Sequence, residues 1–288
     1  MPLIIRPKMS LMQLIKHVLD DAYNSIDESD PEIKDASIKQ EILSLARSYS
    51  KLTALTGPSI DYSNPLSRFA YIYRYSVAHA DYIMQLTRSD QGLAGLFRRE
   101  QVDVACLGGG PGSDFLGILK FLVQSGTKEF CLNCQIYDKE RAWIDSWSDV
   151  APLLNAPFRF FPIFAQLDVT DPSTWVSYRK LLSADLYTLS YFLSEVWRIK
   201  KQAEPFFKHC LSSMKVGSLV LFIDNNDSRF VNWFDSLAAQ HGLVAVVKAS
   251  GTLCFSNDEE KSDFGIYFEK FGWMKRSSEA AWRIMRKE

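Results

Sequence analysis

The chain has no long apolar run. No stretch approaches the ~18–20 consecutive apolar residues of a spanning helix. The first seventeen residues interrupt their apolar side chains with Arg6, Lys8 and Lys16, so neither a membrane anchor nor a secretory leader is expected. Cysteine is scarce and odd in number. Five thiols, with Cys106, Cys131 and Cys134 inside hydrophobic runs, argue against a disulfide framework and for an intracellular setting, cytoplasmic or nuclear. Cys131 and Cys134 form a CxxC, but no second pair and no nearby histidine accompanies it, and no metal site is expected. An excess of one charge is missing too. With 33 basic and 34 acidic residues the formal charge is −1, which excludes a broad electrostatic grip on nucleic acid or an anionic membrane. The balance is uneven, however: Lys275, Arg276, Arg283, Arg286 and Lys287 crowd the end of the chain against Glu279 and Glu288 alone.

What is present is ample apolar material, 47% of 288 residues, enough for a sizeable core. The texture changes near residue 100. Before it, Leu11, Leu14, Ile15, Val18, Leu19, Ala22 and Ile26 follow helical spacing. A second helix opens at Asp30-Pro31 and stops at Gly57-Pro58; a third opens at Asn64-Pro65 and runs to Met84. After residue 100, short apolar runs alternate with helical segments. The spacing predicts strands at 102–107, 130–137, 160–167, 184–189, 218–223, 243–248 and 264–268. The first five are separated by sixteen or more residues, as crossover connections and a parallel sheet require. Pro162 weakens the third strand or delays its start. The expected fold is therefore α/β, a Rossmann-like, seven-stranded, mostly parallel sheet behind a helical region. The divisions are 1–100 (helical), 101–272 (sheet domain) and 273–288 (a basic tail, read as a solvated helix).

The strongest single signal lies at 102–114, Val-Asp-Val-Ala-Cys-Leu-Gly-Gly-Gly-Pro-Gly-Ser-Asp. A strand enters Gly108, Gly109, Gly110 and Gly112, and a helix leaves. Such a loop lets a ligand approach the backbone without Cβ interference at the carboxyl end of a strand. A P-loop is excluded because no Gly-Lys-Ser/Thr follows. A dinucleotide fingerprint fails because the third glycine position falls on Ser113 or Phe115, and Asp114 opposes a pyrophosphate at the helix N-terminus.

The spacing Gly108, Gly110, Gly112 resembles motif I of class I S-adenosylmethionine-dependent methyltransferases. Later residues extend the resemblance across roughly 65–270. Asp138 stands where these enzymes place an acid on the ribose hydroxyls. Asp168, followed by Val169, stands where they place an acceptor for the adenine amino group. The run 185–192, Asp-Leu-Tyr-Thr-Leu-Ser-Tyr-Phe, looks like their motif IV, which borders the reactive methyl. One position departs: Cys106 replaces the acid that usually helps hold the ligand's ammonium, leaving that task to Asp114 through water or to backbone carbonyls alone. The words Phe-Ala-Tyr-Ile-Tyr-Arg-Tyr and Ile-Asp-Asn-Asn resemble a eukaryotic subgroup of the superfamily. The Gly-Pro-Gly-Ser-Asp loop and Leu-Tyr-Thr-Leu run are similar to fungal ribosomal RNA uridine-N3 methyltransferases.

The resemblance implies S-adenosyl-L-methionine as cofactor and assigns further residues. Tyr71, Arg74 and Tyr75 share a helix face before motif I, where Arg74 pairs with the methionine carboxylate or stacks on tyrosine at the surface. Trp143 covers the adenine or fills core. Ser190, Tyr191 and Phe192 border the methyl path or pack inward. Glu195 and Asp224 are candidate general bases, or caps. The sequence lacks the Asn/Asp-Pro-Pro-Tyr/Phe word for exocyclic amines and a Pro-Cys nucleophile for cytosine C5. The expectation is a methyltransferase with an unidentified acceptor, leaning to RNA through the basic tail with Trp273 and Trp282. The alternatives are a non-catalytic cofactor sensor or scaffold with a protein partner, and a small-molecule or protein methyltransferase. Membrane is not an expected partner.

Overall fold

Alternation with period two decides which face of each strand meets which layer. In β1 (Gln101–Leu107), Val102, Val104 and Cys106 join one apolar cluster, and Ala105 and Leu107 join another on the opposite face. In β5 (Leu219–Asn225) the split is Leu219, Leu221 and Ile223 against Val220 and Phe222. Sheets covered on both faces need strands this apolar. A computed structural model describes residues 10–49, 51, 60–148, 156–176, 178–256 and 259–288.

The other strands are β2 (Cys131–Asp138), β3 (Arg159–Gln166), β4 (Leu186–Ser190), β6 (Leu243–Cys254) and β7 (Ser277–Lys287). Their order is β3-β2-β1-β4-β5-β7-β6; β1 to β5 pair in parallel, and β7 runs antiparallel to both neighbours. This is the Rossmann-like, seven-stranded, mostly parallel α/β sheet that the sequence predicts. Pro162 sits within β3 opposite Cys134, and the strand continues through it because β3 is an edge whose outer side has no ladder to break.

The seventh strand is a correction. Residues 264–268 form no strand: a short 3₁₀ turn (Lys261–Phe264) leads through Gly265, at φ +54°, into helix Ile266–Phe271. A brief apolar run reads equally as buried helix or strand, and here Tyr267 and Phe271 pack on Phe69. The basic tail is correspondingly not a solvated helix. It is β7, filling the gap between β5 and β6, with Arg283 buried against Asp235 at 3.1 Å and Lys287 donating to the Leu211 and His241 carbonyls. Those two cations are thereby withdrawn from any nucleic-acid grip.

The helices before the sheet are α1 (Leu11–Asn24), α2 (Pro31–Tyr49), α3 (Pro65–Tyr71) and α4 (Val77–Ser89); α3 and α4 are joined by a π-helical turn, Ile72–Ser76. A capping box of Ser10 and Gln13 starts α1. Asn64 accepts from the Leu66 amide to start α3, with Pro65 at its first position. The predicted stop at Gly57-Pro58 lies outside the described residues. After these come α5 (Gln91–Leu96) and α6 (Ser113–Gln124). Residues of α1, α4 and α6 share one apolar cluster with β1 and β2, while helices Lys200–Ser213 and Ser228–Gln240 cover the opposite face. A buried ionic knot reinforces the first layer. Lys120 on α6 meets Asp81 of α4 at 2.9 Å and Glu259 at 3.2 Å, and Glu259 also accepts both Leu11 and Met12 amides at the start of α1.

Candidate functional site

β1 ends in a glycine loop that gives way to α6. Gly108, Gly110 and Gly112 all have positive φ (+63°, +44° and +72°), which side chains rarely adopt. A Cβ on Gly108 would lie 2.2 Å from the Phe192 ring. The Gly109 amide donates to the Tyr137 carbonyl at 3.0 Å, stitching the loop to β2. At the end of β2, Asp138 accepts from the Gly110 amide at 2.8 Å and from the Glu140 amide at 2.9 Å. One carboxylate oxygen is thus held on the loop and the other on the turn that follows β2. Burial nonetheless pushes it up to about 6, against the pull of those amides.

The loop and Asp138 open on a cleft of about 590 Å³, at the carboxyl ends of β1, β2 and β3, where ligands bind in doubly wound sheets. Gly108, Asp138, Leu167, Asp168, Val169, Phe192 and Glu195 are among the residues that line it. Burial works to raise Asp168, but the Thr170 amide and hydroxyl (2.9 and 2.7 Å) and Lys139 at 3.0 Å prevail and lower it. Of the sequence-predicted residues, the cleft therefore gathers Gly108, Asp138, Asp168, Val169, Phe192 and Glu195 along one wall system, with Gly109, Gly110 and Gly112 in the adjoining loop.

Others are placed elsewhere. Asp114 is 3% exposed and accepts from Thr188 on β4, so its carboxyl is committed inside the protein; burial raises it to about 6. Trp143 is 1% exposed and packs on Tyr62 and Tyr71 beneath Gly110, whose Cβ position lies 3.8 Å from it, so it is core rather than an adenine cover. Tyr71 and Tyr75 join the same buried aromatic cluster. Arg74 does not line the cleft; its guanidinium donates to the Trp273 carbonyl at 3.1 Å. Asp224 is fully buried with both oxygens taken, by the Ser194 amide (2.9 Å) and the Asn225 amide (2.7 Å), so it is a structural acceptor rather than a base facing the cleft. Tyr191, following Ser190 at the end of β4, holds φ +57°, costly for an aromatic residue, and stacks on His79 at 4.1 Å.

The helical region also supplies residues that sequence reasoning missed. Tyr49, last in α2, donates to Glu195 at 2.6 Å, and the Tyr49 and Tyr62 hydroxyls lie 2.5 Å apart. Ile60, Asp61 and Tyr62 line the cleft. Their only local sign is an aromatic residue on each side of Gly57-Pro58. Glu195 is an exposed residue whose carboxyl end is nonetheless surrounded by protein, which pushes it up to about 7, opposed by the Tyr49 hydrogen bond and reinforced by Asp138 and Asp224.

No family model matches the chain, and no curated protein matches it. Among solved structures, it is similar to a S-adenosylmethionine-dependent methyltransferase from Clostridium acetobutylicum (12% identity over 85% of this chain and 98% of that one, TM-score 0.45). It is also similar to an O-methyltransferase family protein from Burkholderia thailandensis (14%, 94% and 76%, TM-score 0.45). A third is the 16S rRNA methylase ArmA (11%, 84% and 97%, TM-score 0.43). What the chain's own topology establishes is a Rossmann-like, seven-stranded, mostly parallel sheet, with a glycine loop after β1 and an antiparallel β7.

Proposed function

We propose that the protein is a S-adenosylmethionine-dependent methyltransferase. The carrying observation is Asp138, fixed by the Gly110 amide at the end of β2 and facing a cleft sized for an adenosyl group. The residues suit that ligand. Asp138 offers two acceptor oxygens to a vicinal diol, Leu167 and Val169 give apolar walls for a flat base, and Asp168 offers an acceptor for an exocyclic amine. The glycine loop admits a ligand backbone-close, where Gly108 and Gly110 have no side chain to intrude. When bound, the cofactor supplies an activated methyl on a sulfonium, so the protein's task is chiefly positioning. Phe192 covers Gly108 and would shape the approach to that methyl.

A base is needed only where the nucleophile must lose a proton, and Glu195 fits that role, being on the cleft with a proton affinity near neutrality. A base acts deprotonated, so methyl transfer should rise with pH through about 7 and level off above it. Glu195→Gln is expected to lower the plateau by roughly 10²–10⁴-fold and flatten the profile. A profile unchanged by the substitution would remove Glu195 from the chemistry.

Thermal shift tests the cofactor directly. S-adenosylmethionine and its demethylated product should each raise the melting temperature, and NAD should not. No shift with the first two would sink the reading. Labelled methyl transfer into fractionated RNA, protein and metabolites then identifies the acceptor, for which RNA is our leaning on the cations and aromatics around Trp273.

A further inference from the structure

Several buried or half-buried cations among the described residues are neutralised by carboxylates: Lys120 by Asp81 and Glu259, Arg283 by Asp235, Lys270 by Asp35. Others, Lys34 and Lys287, rest singly on backbone carbonyls. Arg74 and Lys275 differ from both in being two cations side by side. Among the described residues neither forms an ion pair. They are nevertheless held together, because the Lys275 amide donates to the Arg74 carbonyl at 2.9 Å and the Arg74 guanidinium is anchored on the Trp273 carbonyl. The Arg74 Nε is buried without a hydrogen-bond partner. The Lys275 ammonium lies 5.6 Å from the ring centres of both Tyr75 and Tyr191. His79, 4% exposed and stacked on Tyr191, has its Nε2 buried and unpartnered as well. Arg74 also sits in the π-helical turn, an insertion that recurs at functional sites.

We propose that Arg74 and Lys275 form an oxyanion subsite beside Tyr191 that receives a phosphate or carboxylate group of the methyl acceptor. The pair offers a guanidinium edge and an ammonium with no internal anion to satisfy them, and such charge-assisted donors are the strong ones. Burial, and then the charge of Arg74, lower Lys275 to about 8, as expected of like charges with no carboxylate between them. A bound oxyanion relieves it. Tyr191 follows the last residue of β4, so an anion held there belongs beside the reacting end of the cleft. Because Arg74 is not among the residues lining that cleft, we assign the anion to the acceptor rather than to the cofactor's own carboxylate. Outside the pair, exposed Trp273 is flanked by Lys261 and Arg276, each 4.5 Å from its ring centre, which continues the cationic surface outward.

The assignment to an acceptor rests on the methyltransferase reading; the existence of the subsite does not. The test uses the full chain, with inorganic phosphate and acetate titrated against chloride at matched ionic strength, with and without S-adenosylhomocysteine. Calorimetry and melting temperature are the readouts. Phosphate or acetate should stabilise the wild type beyond chloride, and whichever acts more strongly names the anion. Lys275→Gln and Arg74→Gln should weaken that binding about tenfold or more, equivalent to about 1.4 kcal/mol. Lys275→Arg should restore it, and cofactor affinity should change little in Lys275→Gln, which also reports that the variant is folded. No response beyond chloride, or an undiminished response in both variants, overturns the subsite. A parallel collapse of S-adenosylmethionine affinity in both variants overturns the assignment to the acceptor. Anion binding in a protein that shows no cofactor shift leaves the subsite standing and removes the methyltransferase reading instead.

Discussion

Asp138→Ala is expected to abolish the rise in melting temperature produced by S-adenosylmethionine. The carboxylate is oriented by two amides, Gly110 at 2.8 Å and Glu140 at 2.9 Å, so its remaining lone pairs point into the cleft at almost no ordering cost on binding. Two hydroxyl donors to one carboxylate are charge-assisted bonds of about 1.5–3 kcal/mol each, so their loss together weakens binding by roughly 10²–10⁴-fold. The substitution also strands the Gly110 amide, loosening the loop that is the other half of the site. Asp138→Asn separates the two effects, since its amide oxygen can still receive Gly110 while the charge is gone. The pH dependence has a definite sign. The charged carboxylate is the binding form, and burial sets its protonation at about 6, so affinity should fall as pH drops through that value and be steady above it. Titration calorimetry between pH 5 and 8 reads this directly. Undiminished binding by the alanine variant would refute the site as we have drawn it.

Gly117→Ala should destabilise the protein severely although alanine is the better helix former. Gly117 lies in α6 where α4 crosses it, and a Cβ there would come 2.3 Å from the Ala80 carbonyl oxygen and 2.8 Å from the Ile83 Cβ. Neither neighbour can swing aside: one is backbone, and the other is branched and buried. The helices must separate, and with them the Lys120–Asp81 pair at 2.9 Å that spans the same interface. The expected loss is about 3 kcal/mol or more, at the upper end of overpacking effects. Gly95→Ala in α5 is the matched control, because nothing lies within 4 Å of its Cβ position. There the lower entropy of the unfolded chain and the better helix propensity should stabilise by about 0.4–1 kcal/mol. Urea unfolding of the two variants side by side measures a difference of opposite signs from the same chemical change.

The strands β1 to β5 were legible because their signal is local: apolar runs bounded by turns, each end within two residues or so of the observed one. β7 was not. Ser-Ser-Glu-Ala-Ala-Trp-Arg-Ile-Met-Arg-Lys carries charges on what looks like an exposed element, and only pairing with β5 and β6, together with Asp235 opposite Arg283, makes it a strand. Strand propensity is mostly context of that kind. In the site, Gly108, Gly110 and Asp138 could be read from spacing, since loop and acid are fixed by the strands that carry them. Tyr49 and Tyr62 could not, because their approach to Glu195 spans more than a hundred residues of sequence. The placement of Asp224, expected as a base, and of Asp114, expected as a ligand, as buried acceptors has the same origin: a carboxyl at a strand end or helix start reads alike whether it faces the cleft or the core.

The position of β7 also bears on the order in which the fold can be made. Of the seven strands it emerges last from the ribosome, yet in space it lies between β5 and β6, both of which precede it. Until it arrives, β6 has no strand partner among the described residues and β5 presents an open edge, while the parallel ladders of β1 to β5 already have all their strands. A growing chain therefore carries a complete parallel half and an unzipped antiparallel edge, and the segment that leads into the closing strand holds Trp273 and Lys275. The parallel half and the antiparallel edge are thus assembled at different times, the latter only when synthesis has reached the strand that locks the sheet.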